Sequence, residues 1–214
     1  YFRRIETDQD FEGDFHGNDG PIIARRWNEK EWSPDQRAFY DAFRSLGYPH
    51  STDMNHPDST GVGPPAFNNP GGVRWSTAIG YLSQARHRLN LTIRSKCLVH
   101  RILFEESRAV GVVVESDGDI FSVYGEEIVI SAGAIGSPHI LMLSGVGPSD
   151  HLSNHGLQVV QDMPGVGQNL RDHPIVSVRL DVKDGVQLDP SAPRFQTILR
   201  YTAGNSTTRN DIQI

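Results

Sequence analysis

Apolar side chains recur at helical spacing in two stretches of the first half of the chain. Between 33 and 47 they return every three or four residues, which predicts an amphipathic helix. Ser33 is a suitable N-cap, Pro34 fits the first helical position, and Gly47 fits the left-handed residue that ends many helices. A second helix is predicted from Ser76 to about His87. The residues before and between these helices are rich in Gly, Pro, Asn and Asp, so they are predicted to form ordered loops.

The middle of the chain changes to a strand pattern. Its apolar runs are short and rich in Val and Ile, and Asp117-Gly118 between two of them is a strong hairpin-turn signal. The continuous apolar run at 127–131 is typical of a strand buried on both faces, as in a parallel sheet. The predicted strands of this region are 91–94, 97–104, 109–115, 120–123 and 127–131.

A helix is predicted directly after the buried run, with Ser137 as its cap, Pro138 at its first position and Gly145 at its stop. A short helix over about 149–155, closed by Gly156, follows. The remaining predicted elements are a brief strand at 159–160, a loop at 164–174, a strand at 175–182 and a final strand at 211–214. The order of helix, β meander, buried strand and helix predicts an α/β (α+β mixed) nucleotide-binding domain with a small β insertion.

Composition and charge narrow the classes of function. The 214 residues carry a net charge of −6, which gives no electrostatic reason to bind nucleic acid or anionic lipid. No apolar run is long enough for a transmembrane segment, and the first residues lack a signal peptide and an initiator Met. A cytoplasmic location is therefore favoured, with an N-terminus that is not the natural one. The single cysteine, Cys97, cannot form an internal disulfide, and the nine scattered histidines predict no metal site.

The junction from 128 to 147 carries the strongest chemical signal. Ser131, Ala132 and Gly133 follow the predicted buried strand, and side chains this small would let a ligand or another backbone approach closely. Exposed amides at the start of the following helix would favour a phosphate or another polar partner. Many strand-to-helix junctions have this composition, so tight packing alone remains an alternative interpretation.

This junction resembles a signature of the glucose–methanol–choline (GMC) flavoenzymes. The run Gly133–Gly147 has the Gly-small start, the Ser-Pro pair, the paired aliphatics and the Ser-Gly-aliphatic-Gly ending of that signature. The segments 74–78, 101–105 and 164–174 are similar to other parts of the family, in the same order and at similar spacing. The resemblance is closest to choline dehydrogenase-like alcohol dehydrogenases and covers nearly the whole chain.

The resemblance implies a function as well as a fold. It implies part of an FAD/NAD(P)-binding Rossmann-like domain at 1–174 and the truncated start of a substrate-binding β-sheet domain at 175–214. The implied reaction is hydride transfer from the CH–OH group of a small-molecule alcohol to FAD, with oxygen, a quinone or another electron acceptor left open. A hydroxynitrile lyase of the same fold and a non-catalytic α/β binding module are the alternatives.

The implied cofactor contacts fall on four residues. In the family, the strand that holds Val99 places its main chain against the adenine of FAD, and Ser131, Ala132 and Gly133 lie where the buried strand returns towards the ADP half. The Gly-x-Gly-x-x-Gly motif and the catalytic histidine of the family are absent from this sequence. No catalytic residue is therefore assigned, and the fragment alone is expected to be inactive.

Overall fold

The computed structural model describes residues 1–214, and its mixture of helices and strands confirms the predicted α/β class. The chain forms two compact units: unit 1 comprises residues 1–91 and 180–214, and unit 2 comprises residues 92–179. The predicted functional division between 1–174 and 175–214 stays a prediction, because compactness alone assigns no function to either unit. Each helix is too short or too polar to cross a membrane.

Unit 1 consists of short helices, one longer helix and two small sheets. Its elements are α1 (Phe2–Ile5), β1 (Glu6–Asp8), β2 (Ile22–Ala24), α2 (Pro34–Ser45), β3 (Gly61–Gly63), α3 (Ser83–Ala85), β9 (Ile198–Tyr201) and β10 (Ile212–Gln213). β1 and β2 pair in parallel, and β9 lies between β3 and β10 in an antiparallel sheet. Single turns of 3-10 helix lie at Glu29–Glu31 and Pro70–Gly72.

Both predicted helices of this unit form. Pro34 is the first residue of α2, and Gly47, with a φ of +89°, takes the left-handed conformation beyond its end. The Ser33 hydroxyl bonds the Asp35 carboxylate and makes no cap bond to a backbone amide. The second helix is shorter than predicted: a π-helical turn at Ala78–Leu82 passes into α3, which ends at Ala85.

The strand β3 forms where the sequence predicted only a loop. A Cβ on Gly63 would lie 1.8 Å from the carbonyl oxygen of Ser51, so only glycine lets these two backbone segments approach so closely. Val62 between the glycines is fully buried, as is Leu199 on β9. Glycine is unfavourable in strands, so a glycine-rich sequence gave no indication of this core strand.

Unit 2 contains the predicted meander. Its elements are β4 (Leu98–Glu105), β5 (Arg108–Ser116), β6 (Asp119–Tyr124), α4 (Gly133–Leu143), β7 (Val146–Gly147), α5 (Ser149–Asn154) and β8 (Gln161–Asp162). β4, β5 and β6 form one antiparallel sheet in that order. Asp117 and Gly118 have φ of +54° and +90°, the positive pair that a type I′ hairpin turn requires. The strand predicted at 91–94 is wrong, since those residues pair with no other strand.

The predicted buried strand at 127–131 is also wrong. Val129 is 83% exposed, and no strand of this chain lies beside the run to accept its hydrogen bonds. The helix after it begins at Gly133, four residues before the predicted cap. Ser137 therefore lies inside α4, where its hydroxyl accepts a hydrogen bond from the Ala132 amide at 3.1 Å, and Pro138 lies in the helix interior. The hydroxyl therefore bonds the amide of the residue just before the helix, and Ser137 is not the N-cap that the sequence predicted.

The remaining elements of the sequence prediction have mixed outcomes. The helix α5 is confirmed, and Gly156 follows it with a φ of +70°. The strand predicted at 159–160 forms two residues later as β8, which pairs in parallel with β7. The strand predicted at 175–182 is wrong, because its alternating apolar residues are exposed and pair with nothing. The final strand is confirmed as β10.

Candidate cofactor-binding site

The start of α4 is an open surface made by small residues. Gly133 has a φ of +82°, and a Cβ added to it would meet no atom within 4 Å. Glycine is therefore required there by the backbone conformation and not by close packing. Ser131 and Ala132 are exposed beside it. The first amides of α4 have no carbonyl partner within the helix, so they can donate hydrogen bonds to an anionic group.

Val99 lies on β4, which is an edge strand of the meander. It is half-buried and pairs with Val114 of β5 on one side. The order β4-β5-β6 leaves the other side of β4 without a strand, so main-chain donors and acceptors face outward there. The register shifts between Val99 and Arg101, which turns the backbone locally. An outward amide and carbonyl are the groups that could read the hydrogen-bonding edge of an adenine.

A buried hydroxyl joins these two elements within unit 2. The Ser144 hydroxyl, at the end of α4, accepts a hydrogen bond from the Ile102 amide of β4 at 2.8 Å. The same hydroxyl donates to the Ile140 carbonyl at 2.5 Å. The structure therefore brings Ser131, Ala132 and Gly133 together at one end of a helix that packs on the strand carrying Val99.

Two of the cavities beside α4 involve segments that the sequence analysis singled out. One, of about 830 Å³, lies between the helix and the loop 167–171. The other, of about 300 Å³, lies beside the sheet, and Ile128 and Ile130 of the predicted strand line it. Ile128 and Ile130 are only half-buried and Val129 between them is exposed, so the run is not buried on both faces as the sequence predicted. Sequence reasoning missed the first cavity, since no signal in either segment indicates that the loop and the helix meet.

These features fit an ADP-containing group. The exposed amides at the start of α4 suit a phosphate, the free edge of β4 suits an adenine, and the side chains of Ser131, Ala132 and Gly133 are small and exposed. Val99, Ser131, Ala132 and Gly133 could therefore hold such a group.

Unit 1 contains a buried ionic cluster that the sequence did not reveal. The Arg26 guanidinium lies 2.9 Å from both Asp8 carboxylate oxygens and 2.6 Å from Asp53 Oδ1. His16 lies between the same two carboxylates, with Nδ1 3.0 Å from Asp8 Oδ2 and Nε2 3.0 Å from Asp53 Oδ2. All four residues are less than 9% exposed. They come from separate segments, so no local spacing could have indicated them.

The electrostatics of this cluster favour ion pairing over metal binding. Glu6, Asp8 and His16 each place one ligand atom within 4.8 Å of the others, which is the composition of a metal site. The Arg26 guanidinium already occupies both Asp8 oxygens, so a cation would have to displace it. Burial tends to raise the pKa of Asp8, but the amides of Asp10 and Phe11 and the Arg26 charge outweigh it and lower that pKa below 3.8.

Comparison with known proteins identifies the family. The family profile described as GMC oxidoreductase matches residues 1–175. An uncharacterized GMC-type oxidoreductase of Rhodococcus erythropolis is 42% identical over 205 residues, which cover 96% of this chain and 41% of that protein. An oxygen-dependent choline dehydrogenase of Photobacterium profundum is 41% identical over 174 residues, which cover 81% of this chain and 31% of that protein.

A solved structure agrees with these relatives. An FAD-dependent oxidoreductase from Chaetomium thermophilum superposes with a TM-score of 0.72 at 28% identity, covering 80% of this chain and 32% of that one. The chain thus spans between about a third and two fifths of the length of the proteins that it matches. The match over residues 1–175 confirms the family resemblance of the sequence motifs. The chain belongs to the GMC oxidoreductase family.

Proposed function

We propose that the whole protein containing this chain is an FAD-dependent oxidoreductase that oxidises the CH–OH group of an alcohol, as choline dehydrogenases do. Membership of the GMC family and the relative named choline dehydrogenase support this proposal. The similarity to an FAD-dependent oxidoreductase supports FAD as the cofactor. A non-catalytic module is not favoured, because the family match spans most of the chain.

The part of the site that this chain supplies is the contact to the ADP half. The main chain of Val99 would bond the adenine edge from the free side of β4. The first amides of α4 would donate to a phosphate, and the small residues Ser131, Ala132 and Gly133 would leave room for it. The single observation that carries the proposal is the open, glycine-led start of α4 on a helix packed against an edge strand.

This chain would bind and orient FAD, and it would not take part in proton transfer. When bound, FAD supplies the hydride acceptor for alcohol oxidation. Asp172 and His173 form an acid–base pair within the family-like segment 164–174, but their side chains are 97% and 100% exposed and 3.9 Å apart. A pair so fully solvated has neither a fixed geometry nor an altered environment, so we assign no catalytic residue here.

The test is a pair of glycine substitutions in the full-length protein. Gly133→Ala places a side chain where φ is positive, at the proposed phosphate contact. The backbone should shift to relieve the strain and displace the amides there, which should weaken FAD binding about tenfold. Gly156→Ala is the matched control, since Gly156 also has a positive φ and open space around it but lies beyond α5. FAD affinity is measured by fluorescence titration of the apoprotein.

One outcome would overturn the proposal, and a second would overturn only the assignment of Gly133 to the site. The first is a wild-type protein that binds no FAD, or whose bound flavin stays oxidised when choline or other alcohols are added without oxygen. A bound but unreduced flavin would favour the hydroxynitrile lyase alternative. The second is an equal loss of FAD affinity in both glycine variants, which would remove the assignment of Gly133 to the site.

A further inference from the structure

A buried side-chain hydrogen bond joins the end of α4 to β4. Ser144 is only 7% exposed, and its hydroxyl accepts from the Ile102 amide while donating to the Ile140 carbonyl. The hydroxyl thus satisfies a backbone donor on the strand and a backbone acceptor on the helix at the same time. Without it, the Ile102 amide of β4 would be buried without a hydrogen-bond acceptor, and an unpaired buried donor destabilises the folded state.

The backbone after Ser144 is also held in place. Gly145 has a φ of +84°, and a Cβ there would lie 2.3 Å from the Gln158 carbonyl oxygen. Its own carbonyl accepts from the amides of Val160 and Gln161 at 2.8 and 3.1 Å. The Ser-Gly pair is therefore held on both sides, by β4 before the turn and by the chain leading into β8 after it.

We infer that Ser144 is a positioning residue for the ADP moiety: its hydroxyl fixes α4 on β4, and so fixes the start of α4 relative to Val99. This inference rests on the proposed function. The helix is a rigid element of eleven residues, so a shift where its end meets β4 is carried to its beginning at Gly133. A ligand that contacts both elements binds only the molecules in which they are docked, and its apparent affinity falls with that fraction.

The experiment measures binding of ADP to the full-length apoprotein by calorimetry. Ser144→Ala removes both hydrogen bonds, of which only the one from the Ile102 amide joins α4 to β4. Loss of that one bond should raise the Kd for ADP about threefold to tenfold. Ser144→Thr keeps the hydroxyl and should restore an affinity close to that of the wild type. Ser144→Cys keeps a side chain of similar size with a weaker acceptor, so it should lie between them and serves if the alanine variant does not fold.

A control separates positioning from general stability. Leu152→Ala empties a fully buried site on α5 and should lower the thermal stability at least as much as Ser144→Ala, because it creates a cavity. It removes no bond between α4 and β4, so the Kd for ADP should stay at the wild-type value.

The outcomes distinguish this inference from the function on which it rests. A wild-type apoprotein that does not bind ADP overturns the proposed site, and the inference with it. If the wild type binds ADP, the site stands, and an unchanged Kd in both Ser144→Ala and Ser144→Cys overturns only the positioning role. An equal rise in Kd for Leu152→Ala also overturns it, since the effect would then follow stability alone.

Discussion

At the scale of single residues, the buried ionic cluster is the feature of unit 1 that depends most on the identity of each side chain. Arg26 is the one guanidinium that pairs with both Asp8 and Asp53. Its positive charge is needed because two carboxylates in a buried site repel each other and have lost their hydration. The cluster therefore stabilises the unit only when it is complete, which makes each member sensitive to substitution.

Replacing Arg26 should be much more damaging than replacing an exposed arginine. Arg26→Met removes the guanidinium that pairs with Asp8 and Asp53 at a buried position, and we expect a loss of about 3–5 kcal/mol in the free energy of unfolding. Arg209→Met is the control, because Arg209 and its partner Asp58 are more than half exposed and such pairs contribute about 1 kcal/mol or less. Urea denaturation measures both; equal losses would contradict the role given to the cluster.

The Asp8 carboxylate should make unit 1 sensitive to acid. Its pKa in the folded protein lies below the ordinary value of 3.8, so the unfolded state binds protons more readily as the pH falls. The stabilisation from this group is complete above that ordinary value and is lost as the pH falls through the lowered pKa. Between pH 6 and pH 2, the urea concentration at the unfolding midpoint should fall less steeply for Asp8→Asn than for the wild type.

The exposed Asp189 provides the comparison for this pH dependence. Its pKa is also lowered, by hydrogen bonds from Ser191, but the carboxylate is fully exposed. Asp189→Asn should keep the acid profile of the wild type because the solvent screens its interactions. A profile for Asp8→Asn that matches the wild type would show that the cluster does not depend on the charge of Asp8.

At the scale of elements, the sequence predicted what depends on local signals. The start and stop of α2 and the hairpin turn at Asp117-Gly118 follow from residues within the element itself. The run at 127–131 was misassigned, because a strand exists only where another strand accepts its hydrogen bonds and the apolar pattern does not reveal a partner. The same limit applies to 175–182.

The strand β3 depends on glycine for a steric reason. Gly63→Ala would place a Cβ against the Ser51 carbonyl oxygen, so β3 must shift away from its neighbours, at a cost of about 1–3 kcal/mol. Gly204→Ala is the control in the same unit, since nothing lies within 4 Å of its Cβ position. Thermal unfolding compares the two, and a Gly63→Ala variant as stable as the control would contradict the close approach.

The candidate site was predictable only in part. The small residues Ser131, Ala132 and Gly133 are visible as a motif, and family resemblance adds Val99. The bond from Ser144 to Ile102 could not be foreseen, because it links positions far apart in the sequence through a side chain that also fits an ordinary helix end. Contacts of this kind are set by tertiary packing and produce no periodic pattern in the sequence.

At the scale of the whole molecule, unit 1 is built from two distant parts of the chain. Gln196, which is 1% exposed, accepts from the Ser33 amide and donates to the Glu31 carbonyl. Gln36 in α2 accepts from the amides of Gln196 and Thr197. These bonds hold the late segment against the start of α2, and β9 completes the sheet beside β3.

The pairing of β3 with β9 has a consequence for the order of events during synthesis. A ribosome releases residues 61–63 long before residues 198–201, with all of unit 2 made in between. The nascent chain must therefore carry Val62 without its partner strand while the meander, whose contacts are local, is free to fold first. Unit 2 should become resistant to proteases on stalled ribosomes earlier than unit 1, although most of unit 1 is translated before it.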